Sequence, residues 1–145
     1  MQGYTKERIA RSVKGLQMSS FDAPLVTFVV PCYNSAEYMS RCIGALLTAT
    51  HPCEILVIND GSSDDTSAIA HEFAERDARV VAIDQENANW GGVVNHGLSL
   101  AKGTYFKIVD SDDYIDPNAL GRVLDTLALA VAADSAPDAA RHVLS

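Results

Sequence analysis

Three carboxylates in four positions, Asp110-Ser-Asp-Asp113, follow directly on the apolar run Thr104-Tyr-Phe-Lys-Ile-Val109. Like charges crowded at the end of a buried strand repel one another, so the site needs a positive partner. A divalent cation that prefers hard oxygen ligands and itself bridges to phosphate meets that need. The same residues also read as an acidic turn leading to a helix start at Asp116-Pro117, because carboxylates suit helix N-termini. The loops on the same edge of the fold weigh on which reading holds.

Two further loops carry candidate groups. Pro31-Cys-Tyr-Asn34 ends the first apolar run and offers Tyr33, a flat ring with a polar tip that can stack on a nucleobase or pack on its own helix. Asn34 reads as a helix cap. Asn59-Asp-Gly-Ser-Ser-Asp-Asp65 ends the second run. There the Asp60 carboxylate can accept a hydrogen bond from the ring N–H of uracil or guanine, and Gly61 permits positive φ and close approach. Asp64 and Asp65 fall in the first turn of the next helix, a structural placement that meets the helix dipole. His71, Glu72 and Glu75 have helical spacing, but with Phe73 turned to the core they lie on a solvated face rather than around a metal. Trp90 suits a sugar or base pocket and simple packing equally well. No GxGxxG and no Walker pattern is present, which argues against a dinucleotide or P-loop site.

Composition narrows the partners. A chain of 145 residues suits one domain with a real core, yet is short for a complete two-substrate enzyme. Residues 1–20 carry a net +3 (Lys6, Arg8, Arg11 and Lys14 against Glu7), so the other 125 residues hold −11 within a total of −8. Such an acidic body speaks against nucleic acid, whose phosphates require a basic face, while a nucleotide can still be held through a metal. Cys32, Cys42 and Cys53 are odd in number and form no CxxC pair, which favours reduced thiols of a cytosolic protein over disulfides or zinc. No apolar signal core opens the chain. Its longest apolar stretch, Ala119 to Ala133, is broken by Arg122 and Asp125 and is too short to span a bilayer.

These loops need a scaffold, and the hydrophobic pattern supplies one. Leu25 to Val30 reads as a buried strand ended by Pro31, followed by a helix opened by a capping box at Asn34-Ser-Ala-Glu37, with Tyr38, Cys42, Ala45 and Ala49 on one face. Glu54 to Ile58 is the second strand, with a helix to about Arg76 burying Ile69 and Phe73. Arg79 to Ile83 is the third, followed by a helix from about Gly92 to Lys102 that buries Val94, Leu98 and Ala101 and is capped by Gly103. Thr104 to Val109 is the fourth, and Asp116-Pro117 opens a last helix with Leu120, Val123, Leu124 and Leu127 facing inward. Such strand–helix units imply an α/β fold with a mostly parallel sheet of about four strands, covered by helices on both faces. Ligands of such sheets bind at the carboxyl ends of the strands, the edge that all three loops occupy. Residues 1–23 read as a basic extension in which Ile9, Val13 and Leu16 keep helical spacing, residues 24–133 as the domain, and residues 134–145 as a fraying tail without strand signal.

Four segments in order, Pro31-Cys-Tyr-Asn34, Asn59-Asp-Gly-Ser-Ser-Asp-Asp-Thr66, Gln85-Glu-Asn87 and Gly103-Thr-Tyr-Phe-Lys-Ile-Val-Asp-Ser-Asp-Asp113, closely resemble family 2 glycosyltransferases of the GT-A fold. The resemblance runs from about Val26 to Pro117. It implies the Rossmann-like, donor-binding half of an inverting enzyme, truncated before its acceptor half. The donor, a UDP-sugar by this reading, would be contacted by Pro31, Tyr33, Asp60, Gly61, Asp110, Asp112 and Asp113. Tyr33 and Asp60 would meet the base. Asp110-Ser-Asp112 would be the DxD motif, with Asp110 and Asp112 as ligands of Mg²⁺ or Mn²⁺ and Asp113 able to share that role. The acceptor would be a saccharide or lipid-linked molecule of cell-wall or polysaccharide synthesis. The setting would be cytoplasmic, with peripheral contact at the inner face of a membrane or self-association. A non-catalytic nucleotide-sugar-binding or assembly module is the alternative expectation.

The sequence departs from the family pattern at three places. Asn59 stands where the family often has a first acid, and Val93-Val94-Asn95 stands where many members carry Ala-Arg-Asn, so an arginine contact to the donor is missing. The general base of inverting members is expected beyond Ser145.

Overall fold

The structure, a computed structural model, describes residues 24–133 and 142–144. The basic extension over residues 1–23 and residues 134–141 lie outside them. Strands β1 (Val26–Cys32), β2 (Cys53–Asp60), β3 (Val80–Gln85), β4 (Tyr105–Ile108) and β5 (His142–Leu144) form one sheet in the order β3-β2-β1-β4-β5. Every neighbouring pair is parallel. Helices α1 (Met39–Leu46), α2 (Thr66–Arg76), α3 (Asn89–Leu100) and α4 (Pro117–Ala133) connect the strands.

The apolar alternation explains why both faces are covered. Phe28, Val30, Ile55 and Val57 join one cluster with Met39, Cys42, Ile43 and Leu46 of α1, Ala70 of α2 and Leu120 and Leu124 of α4. Val29, Leu56 and Ile58 point the other way and meet Val93 of α3 and Phe106. Helix α3 lies close because Gly97 faces the sheet: a Cβ there would sit 2.7 Å from a Val29 methyl. Each fully buried branched side chain contributes about 1.5–3 kcal/mol. The two faces together hold β1 and β2 as the rigid centre of the sheet.

Several boundaries differ from the sequence expectation for identifiable reasons. β1 runs through Pro31 to Cys32, because β4 pairs with β1 only as far as Val29 and the missing proline N–H forfeits no ladder bond on that side. The capping box does not form. Helix α1 starts at Met39 behind Tyr38, without a side-chain cap, and Asn34 takes φ +50 in the preceding turn. The inner face of α1 is Met39, Cys42, Ile43, Ala45 and Leu46, while Tyr38 stays exposed. β2 extends through Asn59 and Asp60, and β3 through Asp84 and Gln85, because those polar side chains bond across the two strands. Helix α3 begins at Asn89 and buries Val93 and Gly97, leaving Leu98 exposed. Gly103 is not its cap. A Cβ there would fall 2.5 Å from the Thr27 backbone N, so glycine is needed for the approach to β1. Helix α4 starts as expected, with Asp116 Oδ2 accepting the Ala119 N–H, but Val123 is half exposed. The expected strandless tail contains β5, whose three residues pair with the otherwise open ladder of β4.

Candidate functional site

The strand order places a reversal between β1 and β4: the chain builds outward from β1 to β3, then returns to add β4 on β1's other side. At such a reversal the loops beyond the carboxyl ends diverge and leave a crevice. A cleft of about 370 Å³ lies there. The loops after β1, β2 and β4 and the start of α3 form its walls.

The loop after β1 is stitched to the loop after β2. The Asn34 N–H donates to Ser62 Oγ at 2.8 Å, and Asn34 Oδ1 accepts the Ser63 N–H at 2.9 Å. The Asp64 carboxylate accepts the backbone N–H groups of Ala36 and Thr66, and the Thr66 hydroxyl bond holds it below the usual carboxylate range. Asp64 therefore does its structural work as a clasp between two loops, ahead of the helix rather than within its first turn. The result is a fixed turn that presents Tyr33, 56% exposed, to the cleft.

β2 delivers Asp60 to the cleft floor, only 4% exposed. Its Oδ1 accepts the Ala88 N–H at 2.7 Å and the Gln85 amide at 3.1 Å, and Asn87 donates to its backbone carbonyl at 3.0 Å. Gly61 follows at φ +74, where a Cβ would lie 2.9 Å from the Asn87 N. Neighbouring Asn59 turns to β3 and donates to Asp84 Oδ1 at 2.9 Å, while its own Oδ1 accepts the Ser62 N–H. An acid at position 59 would set two carboxylates face to face there. The Asn59 and His71 hydrogen bonds keep Asp84 below the usual carboxylate range.

After β4 the backbone turns so that Asp113 N–H bonds to Asp110 C=O at 2.9 Å. Ser111 is buried and lies 2.8 Å from Ser35 Oγ, which pins the turn to the β1 loop. Asp110 and Asp112 flank it on the exposed side and line the cleft. The Trp90 ring N–H donates to Asp110 Oδ1 at 3.2 Å.

Of the seven sequence candidates, Pro31, Tyr33, Asp60, Asp110 and Asp112 share this one cleft, while Gly61 and Asp113 lie outside its lining. Trp90, Ser35 and Ser111 belong to it as well. Trp90 is 56% exposed, so packing does not account for it. Its direction is set by the preceding Asn89, whose φ of +63 is a conformation that asparagine tolerates. Three carboxylates and no lysine or arginine line the cleft. Among the described residues no three His, Cys, Asp or Glu side chains converge to hold a metal unaided. His71 bonds Asp84 on the solvated face instead. A larger cleft of about 560 Å³ between α4 and the sheet is walled by apolar side chains with Lys107 and Asp116. No described helix is long and apolar enough to cross a membrane.

The profile of a family described as Glycosyl transferase family 2 matches residues 27–137. Glycosyltransferase GlyA of Streptococcus pneumoniae is 42% identical over 92 residues, covering 63% of this chain and 13% of that protein. EpsJ of Bacillus subtilis, an uncharacterized glycosyltransferase, is 39% identical over 103 residues, covering 70% of this chain and 30% of that protein. The chain thus spans less than a third of either relative. The crystal structure of S. aureus TarS 1-349 in complex with UDP-GlcNAc superposes with a TM-score of 0.64 at 27% identity, over 72% of this chain and 31% of that 1-349 chain.

Proposed function

The chain belongs to glycosyl transferase family 2, and from that membership we propose that its acidic cleft binds a nucleotide-sugar donor, a UDP-sugar, for glycosyl transfer. The observation that carries this reading is the cleft lining itself: three exposed aromatic rings, one buried carboxylate and two exposed ones at the β1/β4 reversal, with no cation among them. Tyr33 offers a stacking face for the base. Both protein bonds of the Asp60 carboxylate fall on Oδ1, which leaves Oδ2 to accept the uracil ring N–H.

A diphosphate brought against Asp110 and Asp112 would meet only like charge. The donor set suits Mg²⁺ or Mn²⁺, which commonly use one or two carboxylates and complete their shell with substrate phosphates and water. Two exposed aspartates without a third protein ligand match that pattern. The chemistry supplied by the bound ion is neutralisation of the diphosphate as it leaves. The protein's own part is to fix the two carboxylates on the Ser111 turn, to hold the base between Tyr33 and Asp60, and to keep the donor at the strand ends. The acceptor, a saccharide or lipid-linked hydroxyl, and the base that deprotonates it are assigned to none of the described residues. The choice of UDP is supported by TarS, crystallised with UDP-GlcNAc.

Calorimetry with UDP and UDP-GlcNAc, in Mn²⁺ or in EDTA, tests the reading. Binding is expected with metal and to fall at least roughly tenfold in EDTA and in Asp112→Ala, the scale of a lost charged contact. Equal affinity in both buffers would overturn the metal assignment, and absence of binding throughout would overturn the donor site.

A further inference from the structure

The start of α3 is bonded at two points to the acidic strand ends. Asp60 of β2 bonds Gln85 at the end of β3 and Ala88 in the loop that follows it. Two residues later Trp90 reaches the loop after β4 and donates its ring N–H to Asp110. Between them Asn89 takes φ +63, a conformation that costs a non-glycine residue about 1–3 kcal/mol and persists only where its surroundings impose it. That backbone turn aims the largest side chain in the chain into the cleft instead of the core.

Trp90 is held unlike an ordinary surface aromatic. Its one polar atom is satisfied by a carboxylate of the cleft, yet more than half of the residue remains exposed. An anchored ring with an open face is a platform. The base has its own ring in Tyr33, on the loop after β1. Trp90 stands instead beside Asp110 and Asp112, where the diphosphate and the sugar attached to it would lie.

We propose that Trp90 is the sugar-recognition and positioning residue of the donor site. Its N–H fixes Asp110 Oδ1 so that Oδ2 faces the ligand, and its open ring face packs against the C–H face of the donor's pyranose. The proposal rests on the donor reading above and specifies which part of the donor the residue meets.

Trp90 is the only tryptophan in the chain, so intrinsic fluorescence reports this position alone. The 145-residue protein is titrated in Mn²⁺ with UDP and with UDP-GlcNAc, followed in parallel by calorimetry and by emission. UDP-GlcNAc is expected to shift or quench the emission more than UDP does. Trp90→Ala is expected to weaken UDP-GlcNAc by roughly three- to tenfold, the range of an aromatic contact, and UDP far less. Trp90→Phe, which keeps a ring but loses the N–H, is expected to fall between wild type and Trp90→Ala for UDP-GlcNAc. Thermal melts of the variants accompany each titration, and affinities are compared below the transition. Calorimetric binding with unchanged emission, or equal losses for UDP and UDP-GlcNAc in Trp90→Ala, would overturn the role of Trp90 while leaving the donor site standing. Failure of either ligand to bind the wild type would remove the donor site and this role together.

Discussion

The hydroxyls of Ser35 and Ser111 lie 2.8 Å apart in the interior, joining the loops after β1 and β4 across 76 residues of chain. Ser35 also accepts the Tyr33 N–H at 3.0 Å, so one buried hydroxyl orients both the exposed aromatic ring and the acidic turn. The small residue between Asp110 and Asp112 is therefore the anchor of that turn, and its burial sends the two carboxylates outward.

Removing that anchor should loosen both loops. Ser111→Ala is expected to cost about 1 kcal/mol, a typical hydrogen bond. Ser111→Val, which leaves the Ser35 hydroxyl facing methyl groups and crowds the turn, is expected to cost about 2–3 kcal/mol. Urea unfolding followed by circular dichroism checks both, and a valine variant as stable as wild type would deny the hydroxyl pair its role.

Gly61 stands at φ +74 with the Asn87 backbone 2.9 Å from where a Cβ would be. Gly61→Ala should therefore cost about 1–3 kcal/mol of stability through backbone strain. It should also displace the loop that Asp60 grips, lowering affinity for UDP. A variant that keeps both wild-type melting temperature and wild-type affinity would show that this close approach is dispensable.

Much of this architecture is legible from residue order, and the reasons for the exceptions are local. The apolar runs around Val29 and Val57 identify the strands because burial on both faces leaves no alternation to misread. That Asp60, Asp110 and Asp112 share one edge is legible because their loops all follow the carboxyl ends of parallel strands, and one cleft gathers them. The capping box at Asn34 misleads because Ser62 and Ser63, nearly thirty residues away, compete successfully for its polar atoms. β5 is missed because three residues carry no periodicity, and only the open edge of β4 gives them a place. Trp90 is undecidable in the sequence, since its direction depends on the φ of Asn89 and on Asp110 twenty residues on.

Asp60 and Asp64 lie four residues apart and should respond differently to truncation. Asp60→Ala is expected to weaken UDP by about 1–3 kcal/mol, the range for a hydrogen bond to a charged group. Asp64→Ala opens the clasp on Ala36 and Thr66, so melting temperature should fall while UDP affinity stays close to wild type. Calorimetry and thermal melts on both variants decide this, and the reverse pattern would misplace the base-binding carboxylate.

Burial pushes the Cys32 and Cys42 thiols up to about 12, with like-charged Asp113, Asp110 and Asp112 adding to the effect at Cys42. Thiolate is the reactive form, so both should resist a disulfide reagent at pH 8 in the folded protein. All three cysteines should react once the chain is unfolded in guanidinium. Rapid native labelling of Cys32 or Cys42, located by peptide mass, would contradict the burial of these positions.

Position 59 is an amide for a reason that pH can test. Asn59 is 5% exposed and donates to Asp84 Oδ1 at 2.9 Å, while His71 holds the other Asp84 oxygen at 2.7 Å. Both bonds favour the ionised carboxylate and lower the Asp84 pKa. The stability it contributes is therefore present above the ordinary aspartate value of about 3.9 and is lost as pH falls through the lower folded value. Asn59→Asp replaces the donor with a second acceptor. At pH 7 two carboxylates then meet, and a loss of about 1–3 kcal/mol is expected. One of the pair must hold a proton to restore the bond, so its folded pKa is raised above the unfolded value. The sign consequently reverses: the variant's deficit should shrink as pH falls from 7 towards 4.5. Unfolding free energies of both proteins at the two pH values measure this. A deficit that is constant, or that grows in acid, would show that the Asn59–Asp84 bond does not set the residue type at this strand end.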